Sequence, residues 1–195
     1  MLEKIRKNLT PGVQEESDPT GLVTASVLLP LLYKEDTLHV LLTKRTRTVK
    51  THKGQVSFPG GVRDADDHNL LATALREAQE EIHLRPQDVE IFGALEPIST
   101  ITTGYLVYTF VGLIPYPYPF KPNSREVAEI LTVPLHFLAD ARHWSRSVLS
   151  INNRTWTTYS VTYGNQLIWG ATARILKSFL ERNGIEFNVL SLEES

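Results

Sequence analysis

Residues 54–84 read GQVSFPGGVRDADDHNLLATALREAQEEIHL, and this stretch decides the fold. A short apolar strand ends in Phe58-Pro59-Gly60-Gly61. An acidic loop follows with Asp64, Asp66 and Asp67, and then a helix whose outer side is expected to carry Arg76, Glu77, Glu80 and Glu81. Leu70, Leu71, Ala74, Leu75, Ala78 and Ile82 recur at helical spacing and define one stripe for burial. Ala, Leu, Arg, Glu and Gln, all strong helix formers, dominate the segment. Asp67 or Asn69 supplies the N-cap. At about 100° per residue, Glu77, Glu80 and Glu81 fall within an arc of about 100° beside the apolar stripe.

Like charges at these spacings each cost about 0.2–0.5 kcal/mol on an exposed helix. A divalent cation with oxygen ligands reverses that sign, and Mg²⁺ commonly takes one or two carboxylates, completing its shell with water and substrate phosphate. Taken alone, the glutamates fit a solvated acidic face better than a site. Their neighbours tip the balance. Arg76 can hold one carboxylate in place, and Gly60-Gly61 lets backbone approach where a side chain would block a ligand.

Gly61, followed by Arg76-Glu77-Ala78-Gln79-Glu80-Glu81-Ile82-His83-Leu84, resembles the Nudix box of diphosphate hydrolases. Three features depart from that box. The gap from Gly61 to Arg76 is one residue longer. The box's first Glu is absent, with His68 at its distance from Arg76 and Asp64, Asp66 and Asp67 nearby, so the residue that replaces it stays open. His83 stands for the second Gly, at a helix end where the left-handed conformation is favoured. His is among the non-glycine residues enriched in that conformation.

The preceding segment narrows the resemblance. Leu41-Leu42-Thr43-Lys44-Arg45 and His52-Lys53-Gly54-Gln55-Val56-Ser57-Phe58-Pro59-Gly60-Gly61 are similar to the extra signature of the coenzyme A pyrophosphatase branch. That branch also shares the longer acidic loop and Thr73-Ala74-Leu75. The resemblance implies an α/β fold of mixed α+β type, an α/β/α sandwich with a mixed sheet between helices. It implies Mg²⁺ or Mn²⁺ on Glu77, Glu80 and Glu81 with help from the Gly61 carbonyl, and Arg76 orienting a box glutamate. A carboxylate beyond the box is expected to hold metal or activate water; Glu126 and Glu129 are the candidates, with Glu129 the first choice, and Glu80, Glu126 and Glu129 all stay open as the acceptor of the water proton. Lys44, Arg45, Arg47, Lys50, His52 and Lys53 offer a cationic rim for a polyphosphate, with Arg45 and His52 the expected substrate contacts beside Gly60 and Gly61.

The implied substrate is coenzyme A or an acyl derivative, cleaved to 3′,5′-ADP and 4′-phosphopantetheine or its acyl form. Another diphosphate, such as a dinucleotide or nucleotide sugar, is the alternative within the same chemistry. A nucleotide-sensing module that does not hydrolyse is the alternative outside it, and the intact Arg76-to-Glu81 set argues against that.

The chain of 195 residues, 42% apolar and 22% charged, suits one domain spanning 1–195, with residues 1–21 as an arm or short helix. A net charge of −2 makes no electrostatic case for nucleic acid or membrane binding. The absence of cysteine excludes disulfides, a thiol nucleophile and thiolate metal sites. No apolar run reaches membrane-spanning length. The opening MLEKIRKNLT lacks a signal-peptide core, so a cytoplasmic location is expected. A homodimer stays open as the assembly state.

Elsewhere, Val23–Tyr33 and Leu38–Thr43 read as a hairpin about Lys34-Glu35-Asp36-Thr37. Val89–Leu95 and Tyr105–Ile114 read as strands, with Tyr105, Tyr108 and Phe110 in the core. Tyr116 to Pro122 reads as a stiff proline-rich connection. Trp156–Tyr163 and Gln166–Trp169 form a second hairpin about Gly164-Asn165, and Ala171–Arg182 an amphipathic helix ended by Asn183-Gly184. His136 and His143 are taken as structural or surface residues.

Overall fold

The structure is a computed structural model that describes residues 1–11, 21–48, 52–151 and 154–185. Lys50, residues 12–20 of the N-terminal arm and the C-terminal tail lie outside the described residues.

The central strand is β1 (Val23–Lys34), joined to β2 (Thr37–Arg45) by a two-residue loop. Glu35 and Asp36 have φ of +50° and +59°, so both loop residues are left-handed, as a type I′ hairpin turn requires. Two short strands follow, β3 (Val56–Ser57) and β4 (Gly60–Val62), then helix α2 (Leu70–Ile82). The N-terminal helix α1 is Leu2–Asn8. Beyond α2 come β5 (Glu90–Ser99), β6 (Tyr105–Leu113), β7 (Val127–Pro134), the single-turn α3 (Leu135–Leu138), β8 (Trp144–Ile151), β9 (Arg154–Tyr163), β10 (Gln166–Trp169) and α4 (Gly170–Arg182).

Seven strands form one mixed sheet in the order β3-β2-β1-β6-β5, with β4 added to β1 and β7 to β2. Only the β1–β6 pairing is parallel, running from Val23↔Tyr105 to Leu31↔Leu113. The other edge of β1 is divided. Leu31–Lys34 pair with β2, whereas Ala25–Val27 pair with β4, which brings the Gly60-Gly61 backbone alongside the central strand.

Because β1, β2 and β6 are covered on both faces, they are apolar at consecutive positions, and alternate residues serve opposite cores. Leu28, Leu32, Leu41, Tyr108 and Phe110 pack with Leu70, Ala74, Ala78 and Ile82 of α2. Leu29, Leu31, Val40, Leu42 and Val111 pack on the other face with Ile5 of α1 and with Ile175, Leu176 and Phe179 of α4. Full burial of each such side chain contributes about 1.5–3 kcal/mol. The expected sandwich, a mixed sheet between helices, is the observed architecture. The expected hairpins, both long helices and the core placement of Tyr108 and Phe110 are also observed.

A separate three-stranded antiparallel sheet has the order β10-β9-β8. Sequence reading left β8 unassigned, because Ser145–Ser150 are all exposed and carry no apolar alternation. His136 is exposed, and His143 stacks on Phe137 at 3.7 Å and donates its Nδ1–H to the Phe137 carbonyl at 3.0 Å. No helix among the described residues is long and apolar enough to cross a membrane.

Candidate active site

The site is built where β4 passes beneath α2. Gly61 pairs with Ser26 and Gly60 with Val27 of β1. At Gly60, φ is +157° and a Cβ would meet the Ser26 carbonyl and lie 2.7 Å from Val27 Cα, so backbone alone blocks a side chain. At Gly61 the obstacle is different: a Cβ would lie 2.5 Å from Cδ of Glu77. Glycine at 61 therefore makes room for that carboxylate.

Helix α2 is fixed at both ends. Asn69 is the N-cap, its Oδ1 accepting from the Ala72 N–H at 2.8 Å. His83 closes the C-terminus with φ +59° and ψ +28°, and donates its N–H to the Gln79 carbonyl at 3.0 Å. The proline-rich connection seals the last turn. Lys121 N–H donates to Ile82 O at 3.1 Å and Asn123 N–H to Glu81 O at 2.8 Å. Tyr118 donates its hydroxyl to Asp88 at 2.7 Å, bracing the same end. These bonds set Glu126, which follows Asn123 closely and donates its own N–H to the Asn123 carbonyl at 2.9 Å, beside the carboxylates of α2.

Arg76 is the hub of the outer part. Its Nε and Nη2 donate to the two oxygens of Asp67 at 3.0 Å each. Its Nη1 donates to Glu77 Oε1 at 2.9 Å and lies 3.4 Å from both Glu80 oxygens. The bidentate guanidinium holds the Asp67 carboxyl below the usual carboxylate range and raises Arg76 in turn. Asp67 is thus the acidic-loop residue hydrogen-bonded to the box arginine, with Asp64 a longer partner at 3.7 Å. His68, at the missing Glu's distance from Arg76, is exposed.

Glu81 is the inner residue. It was expected on the helix's outer side, but it is only 2% exposed. The arc beside the apolar stripe turns inward here because β4, the end of β2 and the Asn123 loop close over it. Burial raises the Glu81 carboxyl to about 8, against the opposing pull of Arg45. Burial also raises Glu77, again more than Arg76 lowers it, and Glu126 adds like charge at both. Arg45 Nη1 lies 3.6 Å from Glu81 Oε1. Glu81 Oε2 and Arg45 Nε are both buried without a hydrogen-bond partner.

Among the described residues no three His, Asp or Glu side chains converge as a ready-made metal cage. Two arginines stand between the carboxylates instead. The donor set still fits a hard divalent cation, because an unpartnered buried carboxylate oxygen is costly unless something cationic reaches it.

The remaining expected residues divide. Arg45 reaches the carboxylates and does not stand free on a rim. His52 is exposed with φ +58°, its Nδ1 2.9 Å from Gln55 Oε1, and it shapes the loop ahead of β3. Glu129, the first choice beyond the box, is exposed and accepts from Gln166 Nε2 at 3.4 Å. Glu126, the second choice, is the one whose charge acts on Glu77 and Glu81. Glu129 lies within β7 opposite Lys44, whereas Glu126 precedes the strand, whose first residue Val127 opposes Arg45 across a bulge.

A helix bearing Arg76, Glu77, Glu80 and Glu81, laid over a glycine pair on one face of a mixed sheet, defines a diphosphate-hydrolase type of scaffold. The chain belongs to the Nudix family: the NUDIX domain model matches residues 23–150. Relatives named "Uncharacterized Nudix hydrolase NudL" from Yersinia pestis (strain Pestoides F) and Yersinia pseudotuberculosis serotype O:1b (strain IP 31758) are each 41% identical over 165 residues, covering 83% of this chain and 80% of theirs. Among solved structures, a MutT/nudix family protein from Enterococcus faecalis matches with a TM-score of 0.57 at 17% identity, over 91% of this chain and 71% of its own. The Nudix hydrolase RenU from M. smegmatis matches with a TM-score of 0.51 at 24% identity, over 60% of this chain and 74% of its own. These two likenesses bear on the fold alone.

Proposed function

We propose that the chain is a Nudix hydrolase that cleaves the diphosphate of coenzyme A or an acyl-coenzyme A, releasing 3′,5′-ADP and 4′-phosphopantetheine or its acyl form. Family membership supports diphosphate hydrolysis. The observation that carries the site is the unpartnered Glu81 Oε2, buried beside Glu77 on the helix that the glycine pair approaches. The coenzyme A assignment rests on the residues from His52 to Gly61 and on the longer acidic loop.

In this proposal Glu77, Glu80 and Glu81, with the Gly61 carbonyl, hold Mg²⁺ or Mn²⁺. Such an ion, when bound, neutralises the diphosphate and makes water a better nucleophile. The protein's own contributions are separable. Arg76, anchored by Asp67, keeps the Glu77 carboxylate turned toward Gly61. Glu126 accepts the proton of the attacking water, being the carboxylate beyond the box whose charge acts on both Glu77 and Glu81. The water oxygen bonds to one phosphorus as the bond from that phosphorus to the bridging oxygen breaks, and the oxygen leaves with the other phosphate. His52, exposed ahead of β3, is the basic group assigned to the substrate phosphates. The chain acts as one domain, since α1 and α4 pack into the same core.

Purified protein would be incubated with coenzyme A plus Mg²⁺ or Mn²⁺, with and without chelator, and the products identified by mass. Metal-dependent 3′,5′-ADP, with dephospho-coenzyme A a poor substrate, is expected. Cleavage of a dinucleotide or nucleotide sugar but not of coenzyme A would discard the substrate and keep the chemistry. Failure to cleave any diphosphate would overturn the hydrolase assignment.

A further inference from the structure

The two arginines of the site are held very differently. Arg76 is saturated: it makes paired 3.0 Å bonds to Asp67 and a 2.9 Å bond to Glu77. Arg45 is not. Its approach to Glu81 is 3.6 Å, beyond hydrogen-bonding range, and its Nε has no partner although buried. On the other side of the pair Glu81 Oε2 is also orphaned. A buried ion pair offsets its desolvation only when geometry is good and the remaining polar atoms are satisfied, and this pair meets neither condition. The looseness has a backbone cause. Arg45 sits at the bulge that ends the regular β2–β7 pairing, with its N–H held by the Gln55 carbonyl at 2.9 Å, so its side chain is delivered from a strand end. With 23% of its side chain exposed, against 2% for Glu81, the guanidinium has a path outward that the carboxylate lacks.

We propose that Arg45 is a built-in counter-cation for Glu81, displaced when a divalent cation takes the carboxylate and then free to pair with a phosphate of the bound diphosphate. Arg45 is thereby a placeholder before metal binding and a substrate contact after it. One basic group serves both states because each presents a negative oxygen at the same strand end. This inference rests on the proposed metal-dependent hydrolysis, and it adds a competition between arginine and metal that this function does not require.

Mn²⁺ binding to substrate-free protein, followed by titration calorimetry, separates the two. Arg45→Met removes the charge while keeping much of the stem. It is expected to bind Mn²⁺ about tenfold more tightly than wild type, a coupling of ordinary size. In chelator it should melt below wild type, because Glu81 loses the arginine paired with it, and saturating Mn²⁺ should close that gap. Its KM for the diphosphate should rise more than its kcat falls. Arg45→Lys, which keeps the charge at shorter reach, should lie between the two in Mn²⁺ affinity and provides the comparison if Arg45→Met does not fold. Equal or weaker Mn²⁺ binding by both variants would overturn the exchange while leaving the metal site standing. Absence of Mn²⁺ binding by wild type, with Glu81→Gln no different, would overturn the exchange and the metal-dependent function together.

Discussion

Arg76 and Asp67 are locked by two 3.0 Å hydrogen bonds, Nε to Oδ1 and Nη2 to Oδ2, across an acidic loop that is otherwise exposed. The pair converts a loop of open conformation into a brace for the carboxylate helix. Asp64 N–H completes it by donating to Asp67 Oδ2 at 2.9 Å.

Replacing Asp67 with Ala should therefore cost about 1–3 kcal/mol in urea unfolding, the penalty for leaving a partly buried charged donor unpaired. Asp67 has a folded-state pKa held below its ordinary 3.8, so its contribution is present above that value and is lost as pH falls. A stability profile from pH 7 down to 2 should accordingly be flatter at its acid end in Asp67→Asn than in wild type. A parallel fall in both proteins would show that the pair contributes nothing.

The two glycines should fail in distinguishable ways. Gly60→Ala sets a methyl against backbone at a φ of +157°, and should lower the melting temperature or prevent folding. Gly61→Ala meets only the movable end of Glu77, so the fold should persist while the carboxylate is pushed aside. Its turnover should drop on the order of 10–100-fold, as when a metal ligand's support is removed. Melting curves and kcat for both variants provide the check.

Metal-free wild type should lose stability as pH rises. The Glu81 carboxyl is raised from an ordinary 4.5 to about 8 by burial, so the fold prefers its neutral form. That preference is fully present below about 4.5 and is lost as pH climbs through 8. In chelator, Glu81→Gln should match wild type at pH 5 and exceed it at pH 8 to 9, since the amide does not ionise. Wild-type Mn²⁺ affinity should increase over the same interval because binding requires the proton to leave. Glu81→Gln should bind Mn²⁺ poorly and turn over no substrate. Wild-type activity in this variant would refute the site.

Glu126 and Glu129 can be ranked directly. Glu126→Gln should lower kcat by about 10²–10⁴-fold if its carboxylate takes the water proton. Glu129→Gln, which loses only a long contact with Gln166, should stay within about tenfold of wild type, a change too small for a general base. Reversal of that order in single-variant kinetics would restore Glu129 as the base.

The sequence by itself determined the local elements and the chemistry they carry. The α2 stripe, an N-cap at Asp67 or Asn69, the left-handed His83, the hairpin about Glu35-Asp36 and the helix at the C-terminal side are all set by neighbours within a few residues, so spacing and turn chemistry reveal them, and the structure takes Asn69 as the cap. The glutamate triplet and the glycine pair were legible for the same reason. Tertiary structure alone decided which acidic residue meets Arg76, because Asp64, Asp66, Asp67 and His68 differ only in how the loop folds back. It also decided that Glu81 is buried and Glu80 is not. Helical angle places both beside the apolar stripe, and the covering elements come from distant parts of the chain. The choice between Glu126 and Glu129 turned on which of them the fold brings to the carboxylates of α2, a helix more than 40 residues away from both. Charge and helical spacing are written along the chain. Desolvation depends on what packs over each charge, and it is desolvation that makes Glu81 the centre of this site.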